Sequence, residues 1–302
     1  MRRLSAALAI AAATALAGAA LAGCATTQTT ARAPASVPSP TATLHSGEEH
    51  GIEEIAQPQG FVVRYGLTEL HVRLHTYCYS GGCVDGFDPD PASVGDADEL
   101  FVFLPVAGLD QLYASQAPAG DDCTGRSVES VVTELGDGWW SVRPAGPADE
   151  YRLDLFASGS AGDMAAAVLW STPHDEPLPP VTSSVVVVAD HDGEPDSYGV
   201  ELYVQNLART PAEATATITV TSAEGASHTF DATRVTGECQ GEGTVSFNGP
   251  NADGRTAAAL GDFPFTYRVE LTLDGVTHVA TATFAGGDDD LYRSLEFSPS
   301  LD

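Results

Sequence analysis

The feature that most constrains this chain is a period of two in its apolar residues, which begins at Gly60 and continues almost to the end. Short stretches alternate apolar and polar side chains, and clusters of Gly, Pro and Asp separate them. In Glu69–Tyr77, the apolar residues Leu70, Val72 and Leu74 share one face, and the polar residues between them share the other. Such alternation is typical of half-buried β-strands.

Runs of this kind predict strands along the whole chain and therefore an all-β fold. The predicted strands are Glu69–Tyr77, Glu99–Leu104, Trp139–Arg143, Tyr151–Ala157, Ala165–Trp170, Ser184–Ala189, Tyr198–Asn206, Ala214–Ser222, Ser227–Asp231, Gly243–Phe247, Phe265–Leu273 and Val276–Phe284. Asp274-Gly275 supplies the positive φ angles of a two-residue hairpin between the last two strands. Leu109–Gln116 shows a trace of helical periodicity but is too short to change the fold class.

The predicted strands divide into two series. Pro177-Leu-Pro-Pro180 interrupts the pattern, and its stiffness indicates a linker between one domain at 60–175 and a second at 181–302. The two series are also similar, because Tyr151-Arg-Leu-Asp-Leu155 corresponds to Tyr267-Arg-Val-Glu-Leu271. We therefore expect two tandem copies of one β-sandwich domain, each with its own core.

Each series resembles the immunoglobulin-like fold, which has about seven short strands and a tyrosine that opens the penultimate one. The resemblance makes Tyr151 and Tyr267 candidates for the tyrosine corner, in which the phenol hydroxyl bonds back to the chain at the turn between sheets. Neither domain has the Cys…Trp…Cys spacing of antibody domains. The resemblance is therefore to the broad architecture only.

Residues 1–23 have the layout of an export signal peptide, with Arg2 and Arg3 ahead of a long run of small and apolar residues. Leu21-Ala22-Gly23-Cys24 at its end resembles the lipobox of bacterial lipoproteins. The resemblance implies cleavage before Cys24, lipidation of that cysteine with a diacylglycerol and palmitate-like acyl chains, and a lipid-anchored, extracytoplasmic protein on the cell membrane. The alternative is an ordinary cleaved signal followed by a chance cysteine.

Residues 24–59 are rich in Thr, Ala, Pro and Ser and lack apolar periodicity, so we interpret them as a disordered tether. At coil dimensions, about 35 residues reach about 30–35 Å. A tether of this length would hold the folded part of the protein clear of the lipid headgroups.

The charge of the chain excludes several classes of function. There are 42 acidic residues against 13 basic ones, all of them arginine, and the formal net charge is -29. Nucleic-acid binding needs clustered Lys and Arg, so we expect no nucleic-acid partner. Anionic headgroups would also repel this protein, which leaves the lipid on Cys24 to hold it at the membrane. Because lysine is absent, Schiff-base and lysine-base chemistry is excluded.

Four cysteines remain after Cys24, and an even number in an exported chain predicts two disulfides. Four cysteines permit three connectivities. Cys78 and Cys83 are the easiest pair to join, because Gly81-Gly82 between them can form a tight turn. The remaining pair would then be Cys123 and Cys239, and their bond would cross between the two domains.

Two acidic loops are candidate calcium sites, since calcium takes six to eight oxygen ligands and loops at the ends of sandwiches supply them. The residues of these loops are Asp85, Asp88 and Asp90 in the first and Asp190, Asp192, Glu194 and Asp196 in the second. In a chain this acidic, solvated turn residues are the alternative interpretation, and no other cofactor is expected.

A group of aromatic residues predicts a surface that contacts a sugar or a peptide. The group consists of Tyr77, Tyr79, Phe87, Trp139 and Trp140. Of the two adjacent tryptophans, alternation places one in the core and one on the surface.

The function that these features favour is a non-enzymatic binding or structural module on the cell surface, with an envelope protein, a surface protein or a glycan as its partner. The sequence lacks a Gly-x-Ser-x-Gly elbow, a Walker loop and a dinucleotide fingerprint. The alternative is an envelope hydrolase that uses carboxylates or a bound metal, because the separation of paired carboxylates is a three-dimensional property.

The lipid anchor is directly testable. Cells that express the wild-type chain should incorporate labelled palmitate into it, and the Cys24→Ser variant should incorporate none, because the thiol is the attachment point. Autoradiography of the immunoprecipitated protein measures this difference. Label that survives the substitution would contradict the assignment.

Overall fold

The structure is a computed structural model, and it describes residues 58–120, 123–237, 239–287 and 291–301. The predicted signal peptide, Cys24 and nearly all of the predicted tether lie outside these residues. We call residues 58–175 the first half of the described chain and residues 181–301 the second half.

The first half contains two β-sheets. Its strands are β1 (Val62–Tyr65), β2 (Thr68–His71), β3 (Thr76–Tyr79), β4 (Gly82–Val84), β5 (Ser93–Asp96), β6 (Leu100–Phe103), β7 (Leu109–Pro118), β8 (Val128–Glu129), β9 (Val131–Gly136), β10 (Trp139–Arg143), β11 (Glu150–Gly159) and β12 (Gly162–Ser171). One sheet has the order β2-β1-β6-β10-β9, and the other has the order β4-β3-β12-β11-β7-β8. The short strand β5 lies parallel to β12.

The core of the first half collects alternate side chains from both sheets. Val63 and Val102 of the five-stranded sheet and Leu153, Val168 and Trp170 of the other are fully buried in one apolar cluster. The long strand β11 buries every second residue along most of its length. This is the period of two that the sequence shows, so the prediction of an all-β fold is confirmed.

The second half is built around a sheet that almost closes on itself. Its elements are β13 (Thr182–Val186), β14 (Ala189–His191), β15 (Glu194–Asp196), β16 (Val200–Gln205), β17 (Ala214–Thr221), β18 (Ser227–Arg234), β19 (Val245–Gly249), α1 (Asn251–Ala258), β20 (Phe265–Leu273), β21 (Val276–Phe284) and β22 (Arg293–Ser294). The sheet order is β21-β20-β17-β18-β19-β16-β13-β22. After β22, Ser298 exchanges two backbone hydrogen bonds with Val279 of β21, at the opposite end of that order.

The short helix α1 is a correction to the sequence interpretation, which expected no helix here and only a trace of one at Leu109–Gln116. Leu109–Gln116 lies in strand β7. The helix escaped prediction because it buries only the small residues Gly254, Ala257 and Ala258 and so has no large apolar stripe. A Cβ on Gly254 would come within 2.3 Å of Ser197 Oγ, so the close packing of α1 needs glycine.

Both predicted disulfides are present, Cys78–Cys83 and Cys123–Cys239. The second joins the two halves of the chain. Close to it, the Arg126 guanidinium donates hydrogen bonds to Leu207 O at 2.8 Å, Ala208 O at 3.1 Å and the Glu242 carboxylate at 2.9 Å. The described residues all fall within one compact unit.

The proline-rich segment between the halves is hydrogen-bonded on both sides. Gly146 N–H donates to Pro177 O at 3.2 Å, and Asn206 Nδ2 donates to Pro180 O at 3.0 Å. The division into domains at 60–175 and 181–302 stays a prediction. Within the described ranges, no helix combines the length and the apolar character that crossing a membrane requires.

The two candidate corner tyrosines differ. Tyr151 donates its hydroxyl proton to Pro147 O at 2.7 Å, four residues upstream, which is the bond expected of a tyrosine corner. Tyr267 is fully buried, and its hydroxyl oxygen instead accepts from Val188 N at 3.1 Å, a residue 79 positions away. Burial raises the pKa of Tyr267 to about 12. The hydrogen bond of Tyr267 therefore links Val188, in the segment after β13, to strand β20.

We expect the Tyr267→Phe variant to lose about 1–2 kcal/mol of unfolding free energy at pH 7, because the buried Val188 N–H then lacks its partner. The unfolded phenol ionises near pH 10, below the folded pKa of about 12. The wild-type advantage is thus complete below about pH 10 and shrinks as the pH rises toward about 12. Urea unfolding at increasing pH measures it.

The control is Tyr113→Phe, because Tyr113 is half exposed and its hydroxyl donates to the side chain of Gln111, two residues away. This variant should stay within about 0.5 kcal/mol of wild type. A Tyr267→Phe difference that is as large at pH 11 as at pH 7 would contradict the role of the buried phenol.

Candidate functional site

An open cleft of about 600 Å³ lies in the first half of the chain, and it brings together several residues that the sequence singles out. One wall is the segment His71–Tyr77, and the other is the loop Val84–Ala92, which follows the Cys78–Cys83 disulfide. We call these the crossing segment and the stapled loop. The volume is within the range of about 300–1,000 Å³ that is typical of ligand pockets.

The crossing segment carries the chain from one sheet to the other. Val72 N–H donates to Phe61 O at 2.8 Å beside the five-stranded sheet, and His75 N–H donates to Ala165 O at 3.1 Å beside the seven-stranded one. Val72 and Leu74 are buried in the core between the sheets. Because side chains alternate, the residues between them lie outside the core and line the cleft.

This crossing differs in detail from the single strand predicted at Glu69–Tyr77. The alternation is as expected, but β2 ends at His71 and β3 begins at Thr76. The chain must turn between two sheets here, and Gly60 makes room for it. A Cβ on Gly60 would come within 1.9 Å of Val72 O.

The stapled loop is held by a disulfide across a hairpin. Cys78 of β3 lies directly opposite Cys83 of β4. The two turn residues with positive φ are Ser80 and Gly81, so the tight turn lies one residue earlier than the predicted Gly81-Gly82, and Gly82 is in the strand. With the hairpin cross-linked at this point, the loop starts from a fixed position.

Thr76 ties the beginning of the stapled loop to the crossing segment. Its hydroxyl oxygen accepts from Gly86 N–H at 3.3 Å, and its proton can go to Gly86 O at 3.1 Å or to the Asp85 carboxylate at 3.3 Å. The same oxygen lies 3.0 Å from His75 Nδ1. Gly86 fits closely here, because a Cβ would come within 2.7 Å of His75 O.

Phe87 is the most exposed aromatic ring of the cleft, with 70% of its surface accessible. The guanidinium of Arg152 lies 4.4 Å from the ring centroid, at the distance of a cation–π contact. Arg152 is itself fixed, because it donates to the Asp154 carboxylate at 2.9 Å and to Asp88 O at 2.6 Å. The Phe87 ring is therefore exposed to solvent and is held in position by Arg152.

The two walls of the cleft carry opposite charge. Arg73 is exposed on the crossing segment, and its guanidinium is positively charged. The stapled loop presents Asp85, Asp88 and Asp90. Part of this acidity is used within the loop, since the Asp88 carboxylate accepts from Asp90 N at 3.1 Å. The cleft can therefore donate hydrogen bonds from one side and accept them on the other.

The predicted aromatic contact surface is only partly brought together. Tyr77 and Phe87 line the cleft, and Tyr79 lies beside it on β3. Trp139 and Trp140 are in the other sheet: Trp139 is fully buried against Phe103, and Trp140 is half-buried against the core. Neither tryptophan offers an exposed ring, because Trp140 packs against the main core and Trp139 packs with Val62 and Phe103. The Arg64 guanidinium lies 5.0 Å from the centroid of the Trp139 ring.

The second acidic group lies on the hairpin β14–β15, where two of its four carboxylates accept hydrogen bonds from backbone N–H groups. Asp190 accepts from Gly193 N at 2.7 Å and from Gly287 N at 2.6 Å, and Asp196 accepts from Ser197 N at 2.7 Å. Asp192 and Glu194 are exposed. Among the described residues, no group of three or more His, Cys, Asp or Glu side chains could hold a metal ion. Calcium at either loop stays a prediction.

A smaller pocket of about 110 Å³ in the second half was not predicted from the sequence. It is lined by Tyr198, Glu201 and Tyr292 among others. Tyr292 donates its hydroxyl proton to the Glu201 carboxylate, and this bond raises the pKa of Tyr292 to about 12. Tyr198 is hydrogen-bonded as well, to His191 Nδ1 at 2.8 Å, whereas the cleft keeps exposed polar side chains on both walls.

Sequence reasoning also missed the role of Arg152. It precedes Asp154 in a plain alternating strand, and its partners Phe87 and Asp88 are more than sixty positions away. No local signal could have found this contact. Comparison with known proteins finds no family model that matches the chain and no curated relative.

Removal of the support under Phe87 should destabilise the loop. We expect Arg152→Met to lower the unfolding free energy by about 1–3 kcal/mol, because Asp88 O and Asp154 lose a charged donor and the ring loses its cation–π contact. Amide hydrogen exchange should accelerate selectively in residues 84–92. Arg143→Met, at an exposed position of β10, is the matched control and should change neither quantity. Equal exchange in the two variants would rule out the support role.

Proposed function

We propose that this protein is a lipid-anchored binding protein of the cell surface whose ligand binds in the cleft between the crossing segment and the stapled loop. In this proposal Cys24 carries the lipid, residues 24–59 are the tether, and two immunoglobulin-like sandwich domains form the folded part. The partner is a component of the envelope or of another surface, and the protein performs no catalysis on it.

The observation that carries the proposal is the exposed Phe87 ring beside opposite charges in one cleft. The Phe87 ring is 70% exposed, Arg152 holds it in position, and it lies in an open cleft beside polar side chains, which is the combination expected of a binding pocket. The disulfide and the Thr76 bonds hold the loop before any ligand arrives. A preformed site of this kind loses little conformational entropy on binding.

The anchor and the disulfides support the cell-surface part of the proposal. Disulfides persist in oxidising compartments, and both bonds formed by the described cysteines agree with an exported chain. The net charge of -29 is repelled by anionic headgroups, so a tether would keep the cleft away from the membrane and open to partners.

The experiment exposes the purified full chain, in detergent, to the protein, lipid and polysaccharide fractions of a bacterial envelope in turn. Amide hydrogen exchange in residues 71–92 is followed by mass spectrometry. We expect at least one fraction to slow exchange there, because a bound ligand shields the walls of the cleft. New reaction products in the same mixtures would favour the hydrolase instead.

Two double variants make the test specific. Arg73→Ala with Phe87→Ala removes one exposed side chain from each wall and should abolish the protection. Arg143→Ala with Tyr198→Ala removes the same two kinds of exposed side chain elsewhere and should leave it intact. If no fraction slows exchange in residues 71–92, or if the first variant responds as wild type does, the cleft is not the binding site.

A further inference from the structure

We propose that the cleft takes an uncharged sugar chain, stacked on Phe87 and hydrogen-bonded between the two walls. This inference rests on the proposed binding function and names the chemical class of the ligand. It depends on three properties of the cleft, which are the charge of its walls, the exposed ring and the short strand at its edge.

The charge of the walls argues against a charged ligand. An anion would meet the Asp85, Asp88 and Asp90 side of the cleft, and a cation would meet Arg73 on the other side. Either ligand would gain from one wall and be repelled by the opposite one. A hydroxyl group both donates and accepts hydrogen bonds, so a chain of hydroxyls can satisfy the carboxylates and the guanidinium at once without bringing a net charge.

The ring supplies the apolar part of the contact. Phe87 has no polar atom to orient a ligand, so what it offers is a flat apolar face. The Arg152 guanidinium lies against one face at 4.4 Å, and the ring remains 70% exposed. The C–H face of a sugar ring is flat and apolar, whereas its rim carries hydroxyls. A sugar therefore matches a flat ring that is flanked by hydrogen-bonding side chains.

The edge of the sheet argues against an extended peptide. Peptides that add to a sheet need a run of free backbone groups along an edge strand. The strand at this edge, β4, has only three residues, Gly82–Val84. A peptide would therefore have few backbone bonds to make with this edge strand.

The test uses isothermal titration calorimetry of the full chain in detergent with four neutral tetrasaccharides, namely chitotetraose, cellotetraose, maltotetraose and mannotetraose. We expect one or more to bind, and to slow amide exchange in residues 71–92. Phe87→Ala should weaken that binding about tenfold or more. The matched control Tyr198→Ala, at another exposed aromatic residue, should leave it within about twofold.

Salt separates an uncharged ligand from a charged one. Because no net charge is neutralised on binding, the dissociation constant should stay within about twofold between about 0.05 M and 0.5 M NaCl. Binding by none of the tetrasaccharides, protection outside residues 71–92, or protection of this cleft by tetra-alanine instead would each overturn the proposal.

The two proposals fail in distinguishable ways. If the tetrasaccharides do not bind while an envelope fraction still slows exchange in residues 71–92, the sugar class is wrong and the binding function stands. If neither slows exchange there, the function itself is wrong.

Discussion

The first half of this protein depends on one constraint, which is that a short stretch of chain must pass from one sheet to the other without breaking the core between them. Residues 71–76 satisfy this constraint because their side chains point alternately into the core and away from it. Val72 and Leu74 fill the core, and the backbone N–H groups of Val72 and His75 bond to the two sheets in turn. The cleft is a consequence of this crossing, because the residues that alternate with the buried ones have no sheet beside them.

The Cys78–Cys83 disulfide and the hydrogen bonds of Thr76 restrict the conformation of the loop beside this cleft. A loop of nine residues beside a gap would have many conformations, and ordering it would cost conformational entropy at binding. Here the Cys78–Cys83 bond fixes the start of the loop, Thr76 fixes Gly86, and Arg152 fixes Phe87 and Asp88. Thr76 and Cys78 belong to β3 and Arg152 belongs to β11, so the position of Phe87 depends on how these strands pack in the seven-stranded sheet.

The carboxylate side chains of the two acidic loops have different structural roles. On the hairpin β14–β15, Asp190 and Asp196 accept bonds from nearby backbone N–H groups and stabilise turns. On the stapled loop, Asp85 and Asp88 accept bonds too, but they line the same open cleft as Arg73. Composition does not separate these cases, since both stretches are rich in carboxylates.

The sequence by itself determined the all-β class and indicated Cys78–Cys83, because both follow from short-range patterns, and Cys123–Cys239 then remained as the other pair. A period of two predicts which face of a strand is buried, and a five-residue separation makes Cys78 and Cys83 natural partners. It also predicted Tyr151 as a tyrosine that bonds a few residues upstream. It misjudged α1, whose buried residues are small, and Tyr267, whose partner Val188 is distant in sequence.

Only the tertiary structure decided which of the predicted polar and aromatic residues meet. Phe87 and Arg152 are sixty-five positions apart and come together because β11 and the stapled loop lie on the same sheet. Trp139 and Trp140, which the sequence grouped with Phe87, are separated from it because they belong to the other sheet. Strand order and the crossing between sheets set these distances. They depend on contacts between residues far apart in the chain, and no local pattern of residues encodes them.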